Sequence, residues 1–163
     1  MKLAICPGSF DPVTCGHLDI ITRAAEMFDK VIVVVMVNNN KHPLFSQEER
    51  VDLLKRATAH LPNVEVDAFG GMLVEYARAK QATVIVKGLR AMSDFEYEFQ
   101  MALTNRKLNP AVETVFLTTN AEYMYLSSSL VKQVASLGGD IREFVPECII
   151  NDISQKYGRN EDK

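Results

Sequence analysis

Apolar positions in this chain alternate between short unbroken runs and stretches at helical spacing. Leu3-Ala4-Ile5-Cys6 is such a run, and Leu18, Ile21, Ala25 and Phe28 then recur on one face of a helix. Val31 to Val37 is apolar throughout and rich in β-branched residues, as expected of a strand covered on both faces. Asn38-Asn39-Asn40-Lys41-His42-Pro43 breaks that run, and Ser46 with Glu49 supplies a capping box for a helix to about Ala59. Val64 to Ala68 reads as a third strand. Gly70-Gly71 turns into a short helix holding Leu73, Tyr76 and Ala77, and Val84-Ile85-Val86 is a fourth strand, which Lys87-Gly88-Leu89-Arg90 leaves. Ser93 with Glu96 caps a helix to about Leu108, stopped by Asn109-Pro110. Thr114 to Thr118 is a fifth strand, and Ser127-Ser128-Ser129 heads a helix ending at Gly138-Gly139. Pro146 at the first helical position, with Glu147, opens a last helix.

Five strands alternating with helices predict one α/β domain, a Rossmann-like doubly wound parallel sheet, because parallel neighbours need helical crossovers. By analogy with such sheets the strand order is 3-2-1-4-5, which places the ligand crevice between strands one and four, beyond their carboxyl ends. The domain is expected over 1–157, with a polar, frayed tail over 158–163.

Composition narrows the function only by exclusion. The chain has 163 residues, enough to bury roughly two thirds of its unfolded surface without a staple. A net charge of −3 argues against a nucleic-acid surface. No apolar run approaches a membrane span, and no leader precedes the first strand, so the chain reads as cytoplasmic. Cys6, Cys15 and Cys148 lack metal-site or disulfide spacing. Met72, Met101 and Met124 are expected to fill core gaps, and His42 and His60 to lie on the surface.

The chemistry is concentrated between the first strand and helix, in Cys6-Pro7-Gly8-Ser9-Phe10-Asp11-Pro12-Val13-Thr14-Cys15-Gly16-His17. Gly8 and Gly16 are expected to permit positive φ and a close approach of ligand to backbone. Gly16-His17 opens a helix whose free N–H groups favour an anion. The glycine spacing fits neither a dinucleotide fingerprint nor a P-loop. Asp11, beside Pro12, reads as a turn residue. Cys15, near the helix N-terminus, is expected to gain thiolate character if the site is open.

Thr14-Cys15-Gly16-His17 is similar to the Thr/His-x-Gly-His signature of the nucleotidyltransferase superfamily. Gly8-Ser9-Phe10-Asp11-Pro12, Lys41, Lys87-Gly88-Leu89-Arg90, Asp94-Phe95-Glu96-Tyr97-Glu98 and Ser127-Ser128-Ser129-Leu130-Val131-Lys132 follow in order, and together the chain to about Ser154 resembles the bacterial phosphopantetheine adenylyltransferase family. That resemblance implies transfer of AMP from ATP to 4′-phosphopantetheine, giving 3′-dephospho-coenzyme A and pyrophosphate. It also implies Mg²⁺, a homohexamer and product regulation by coenzyme A. The family pattern assigns Ser9, Lys41, Leu73 and Lys87 to phosphopantetheine. To ATP it assigns Ser9, Phe10, His17, Gly88, Leu89, Arg90, Glu98, Tyr123, Met124, Tyr125, Leu126, Ser127, Ser128 and Ser129, with His17 stabilising the transition state. Ser9, Lys87 and Tyr123 stand where Thr, Arg and Trp are frequent, and each keeps the hydroxyl, charge or ring.

Elementary chemistry agrees with those roles. A phosphate monoester has a second pKa near 6, so the acceptor is largely dianionic near neutrality and needs no general base. Catalysis by direct in-line attack must then come from positioning and charge stabilisation. His17 is expected at the α-phosphate, Lys41 at the incoming phosphate and transition state, and Arg90 with Ser128 and Ser129 at the β and γ phosphates. Glu98, which would repel phosphate, suits a ribose or an oriented cation. No carboxylate cluster forms a metal cage, so Mg²⁺ would travel with the phosphates. Two alternatives stay open: a sibling nucleotidyltransferase with another acceptor, such as nicotinamide mononucleotide, and an ATP-binding module without turnover.

Overall fold

A computed structural model describes residues 1–39, 42–90 and 92–159, with the side chains of Met92 and Ser93 left aside. Asn40, Lys41, Ala91 and 160–163 lie outside the described residues, and so does the side-chain half of the expected Ser93 cap. The strands are β1 (Leu3–Gly8), β2 (Lys30–Met36), β3 (Val64–Phe69), β4 (Val84–Leu89) and β5 (Glu113–Thr118). The helices are α1 (Cys15–Met27), α2 (Gln47–Ala57), α3 (Leu73–Lys80), α4 (Met92–Leu108), α5 (Ser128–Ser136) and α6 (Ile150–Lys156). All five strands are parallel, in the order β3-β2-β1-β4-β5.

The apolar run of β2 divides by the twofold alternation of a strand. Val31, Val33 and Val35 join a core with Ile21, Leu53, Leu54, Val131, Ile149 and Ile153, contributed by α1, α2, α5 and the C-terminal segment. Ile32 and Val34 face the other way, onto Ile5, Ile85, Tyr76 and Ala77, under α3. Both faces are therefore covered, as a continuous β-branched run requires.

What opens the sheet for function is the central seam. β1 and β2 pair at six positions, and so do β4 and β5, whereas β1 and β4 pair only at Ala4 with Val84 and Ile5 with Ile85. Beyond Ile5 and Ile85 the two strands part, at the point where the winding reverses.

Local details differ from expectation in instructive ways. Lys87, Gly88 and Leu89 do not leave β4: they pair with Phe116, Leu117 and Thr118, and only Arg90 lies past the strand. Neither Gly8 nor Gly16 has a positive φ; the loop's left-handed residue is Phe10, at φ 49°. Gly8 is needed for proximity instead, since a Cβ there would meet the Phe10 ring at 3.0 Å. Pro146 caps a 3₁₀ turn, Glu147–Ile149, with an extended ψ of 139°, and α6 begins only at Ile150. Met72, Met101 and Met124 are exposed rather than filling gaps. Of the expected tail, Gly158 and Arg159 are described, and the Arg159 N–H returns to Ser154 O at 2.9 Å.

Candidate active site

Where β1 and β4 separate, a cleft of about 290 Å³ forms, floored by Cys6, Pro7 and Gly8 on one lip and Val86, Lys87 and Gly88 on the other. His17, Arg90, Glu98, Tyr123, Leu126, Ser127 and Ser128 complete its walls, with Phe10, Thr14, Gly16, Ile20 and Asp94. The expected loops thus converge on one space.

His17 is aimed by a capping box. Thr14 is the N-cap of α1: its hydroxyl accepts the His17 N–H at 3.2 Å, and the Thr14 N–H donates to His17 Nδ1 at 3.0 Å. An obligatory main-chain donor at Nδ1 leaves the neutral ring's proton on Nε2. Burial first, then the positive charges of Arg90 and Lys87, pull the His17 pKa down to about 4. The imidazole is therefore neutral near pH 7, and Nε2–H is a fixed donor. Phe10 closes over it edge to face, with ring centroids 5.1 Å apart. At Gly16 a Cβ would meet Thr14 Oγ1 and Tyr123 Cβ at 3.5 Å, ordinary contacts. Packing alone does not demand glycine there; its absent Cβ leaves room in the cleft.

The cations are held, not loose. Lys87 Nζ lies 3.3 Å from Glu98 Oε2, so Glu98 orients a cation. Arg90 Nη1 donates to Leu126 O at 2.6 Å and its Nε lies 3.5 Å from Asp94 Oδ2, which joins the β4 exit to the head of α5. There Ser127 is the N-cap, accepting Leu130 N–H at 3.1 Å, and the Ser128 hydroxyl donates to Pro12 O at 2.7 Å. The free N–H groups of α5's first turn are anion donors.

Other expected residues lie to the side. Ser9 and Ser129 line a second hollow of about 270 Å³ that shares Ser128 with the cleft. Leu73 lines a third, of about 110 Å³, with Ile85, Met101 and Asn105; it shares Lys87 and Glu98 with the cleft. Leu89 is not on the cleft wall. Met124 and Tyr125 are exposed, and Tyr125 packs edge-on against Phe144. Lys41 lies outside the described residues.

One expectation is overturned and another is extended. Cys15 does not gain thiolate character: half-burial, then the charge of Glu122, raises its pKa above the ordinary thiol value. Asp11 does lie in a turn with Pro12, and it is also a long-range anchor that the sequence did not announce: it is buried and accepts Leu44 N–H and Phe45 N–H, each at 2.9 Å, and Lys132 Nζ at 3.1 Å. Asp94 lies within a recognised motif that gave it no role, and sequence reasoning missed Arg50 of the second hollow.

The Cytidylyltransferase-like family matches residues 5–134. A phosphopantetheine adenylyltransferase from Caldanaerobacter subterraneus subsp. tengcongensis is 59% identical over 160 residues, spanning 98% of this chain and 100% of the relative. One from Alkaliphilus metalliredigens is 61% identical over 156 residues, 96% of this chain and 99% of the relative. The chain belongs to the phosphopantetheine adenylyltransferase family. Among solved structures, a putative nicotinate-nucleotide adenylyltransferase from Vibrio parahaemolyticus is similar with TM-score 0.71, at 18% identity and 98% coverage of each chain. A nicotinic acid mononucleotide adenylyltransferase from Plasmodium falciparum, complexed with NaAD, gives TM-score 0.70, at 14% identity and 96% coverage of each. At those identities the likeness concerns the fold. Family membership and fold therefore agree with a nucleotidyltransferase built around the β1–β4 seam.

Proposed function

We propose that this chain transfers AMP from ATP to 4′-phosphopantetheine, giving 3′-dephospho-coenzyme A and pyrophosphate in coenzyme A biosynthesis, by in-line attack of the acceptor phosphate. One observation carries the reading: in a chain of this family, a neutral His17, Lys87, Arg90 and the serine head of α5 all border a single cleft at the winding reversal. The acceptor's dianion supplies the nucleophile, so the protein need only align and stabilise. His17 Nε2–H serves the α-phosphate oxygen as charge builds, Lys87 and Lys41 receive the acceptor phosphate, and Arg90 with Ser128 and Ser129 holds the β and γ phosphates.

The small hollow beside Lys87 favours this acceptor over nicotinamide mononucleotide. Its Leu73, Ile85, Met101 and Ala102 offer apolar surface, while Asn105 offers an amide. Such a lining suits an extended arm of amides and methylenes with its phosphate at Lys87. Among the described residues no three His, Cys, Asp or Glu side chains are grouped to hold a metal ion, and Asp94 and Glu98 are engaged by Arg90 and Lys87. Mg²⁺ then enters with ATP, where it neutralises phosphate charge. Among the described residues no helix is long and apolar enough to cross a membrane. We place the enzyme in the cytoplasm, where the coenzyme A pathway we assign it to would run, as one domain over 1–157. It works as a homohexamer, regulated by coenzyme A, which carries the same arm as the acceptor.

The test is pyrophosphate release from ATP and Mg²⁺ with and without 4′-phosphopantetheine, with the product's mass measured. Acceptor-dependent release with the mass of dephospho-coenzyme A is expected. Release only with nicotinamide mononucleotide would assign the chain a sibling activity, and ATP binding without release would make it a sensing module.

A further inference from the structure

Arg50 is the one charged member of the α2 stripe Arg50, Leu53, Leu54 and Ala57 that is buried against the sheet, and only 5% of it is exposed. Its hydrogen bonds among the described residues go to main-chain carbonyls: Nη1 donates to Ser9 O at 3.0 Å and Nε to Ser46 O at 3.4 Å. A buried guanidinium costs desolvation, so its placement calls for a reason beyond packing.

The carbonyl it holds immediately precedes Phe10, whose φ of 49° is unfavourable for a residue with a Cβ. That conformation lays the Phe10 ring over Gly8 and edge-on to His17. The other half of the turn is fastened separately, Asp11 by Leu44, Phe45 and Lys132, and Pro12 O by Ser128. Among the described residues only Arg50 is bonded to the Ser9 carbonyl.

We propose that Arg50 is a positioning residue for the reaction: by holding the Ser9 carbonyl it keeps Phe10 in its left-handed conformation against His17, which fixes the imidazole and keeps it dry. This deepens the reading of His17 as the α-phosphate donor and rests on it. Arg50 borders the neighbouring hollow rather than the cleft, so it acts through Phe10 and not on the ring directly. The groups that do share the cleft with His17 are Lys87 and Arg90 of β4 and its exit, Asp94 and Glu98 of α4, Cys6 of β1 and Tyr123. None of them touches Arg50's hydrogen bonds.

The test compares R50M, R50K, F10L and the R50M/F10L pair. His17 is titrated by NMR in the ligand-free protein, its signal assigned by loss in H17Q, and kcat and KM are measured separately. R50M is expected to raise the His17 pKa by about one unit, as the ring becomes wetter. It is also expected to lower kcat by about 10–10²-fold with little change in KM. R50K should recover much of both, and adding R50M to F10L should change little further, because both act on one contact. A folded R50M with parental His17 titration and kcat would overturn the proposal, as would additive effects of R50M and F10L. If R50M does not fold, R50Q is read in the same way. The titration is made without substrate, so it distinguishes failure of this proposal from failure of the assigned reaction.

Discussion

The proposed donor role of His17 rests on one bond, from the Thr14 main-chain N–H to ring Nδ1, which settles the tautomer. A second bond, from the His17 main-chain N–H to the Thr14 hydroxyl, fixes the helix start, and Nε2–H is left free to serve the cleft in the proposed reaction. H17Q replaces that fixed imidazole donor with a flexible amide no longer aimed by Thr14, and kcat is expected to fall by about 10²–10³ with little change in KM, as measured by steady-state kinetics. A KM effect with unchanged kcat would show ground-state binding instead. The depressed pKa makes a second prediction. Unfolded His17 titrates near its ordinary 6.5 and folded His17 near 4, so between these values the unfolded chain binds the extra proton. Its contribution to stability is complete above about pH 6.5 and is lost as pH falls toward 4. Denaturation midpoints of the ligand-free protein should show that slope, reduced in H17Q. At this scale the sequence was legible for His17 and Arg90, whose residue types and motif announce them. It was opaque for Asp11, whose partners lie 33 and more positions away and leave no local signal.

At the scale of elements, α1 starts with a cap in which histidine occupies the place usually filled by Glu or Gln. The Ser46 and Glu49 box was readable because it uses the customary pair, whereas Thr14 with His17 was visible only as a signature. T14V keeps the shape and the Thr14 N–H but loses the hydroxyl acceptor. It should cost about 1 kcal/mol in chemical denaturation, with a smaller loss of kcat than H17Q. Equal losses of kcat would mean that the hydroxyl, not the main-chain bond, orients the ring. Arg50 had a signal that could have been found: it stands at a helical position where Leu53, Leu54 and Ala57 predict an apolar residue. The register of β4 could not be read so, because Lys87 and Gly88 break the apolar run yet still pair with β5.

Over the whole molecule, the covered faces followed from periodicity, and the strand order and the crevice between β1 and β4 from analogy with doubly wound sheets; nothing in hydrophobic spacing says at which residue the two strands part. Periodicity is equally silent on α4. Phe95, Tyr97, Phe99, Met101 and Leu103 are exposed in a single chain, far more apolar side chains than one helix normally shows to water. Tyr97 and Met101 border the hollow beside Lys87; we propose that Phe95, Phe99 and Leu103, which share the other side of α4 at helical spacing, meet further copies in the proposed homohexamer. F99E combined with L103E should reduce the assembly's mass in analytical ultracentrifugation, and an unchanged mass would exclude this face. The early parting of β1 and β4 has a different kind of consequence. In the proposed reaction a nucleotide seated there would border Cys6 to Gly8 and Val86 to Gly88, whose peptide groups side-chain replacement cannot erase. Acceptor preference can drift through residues such as Leu73 or Met101, while the seat beneath the transferred group is inherited with the backbone itself.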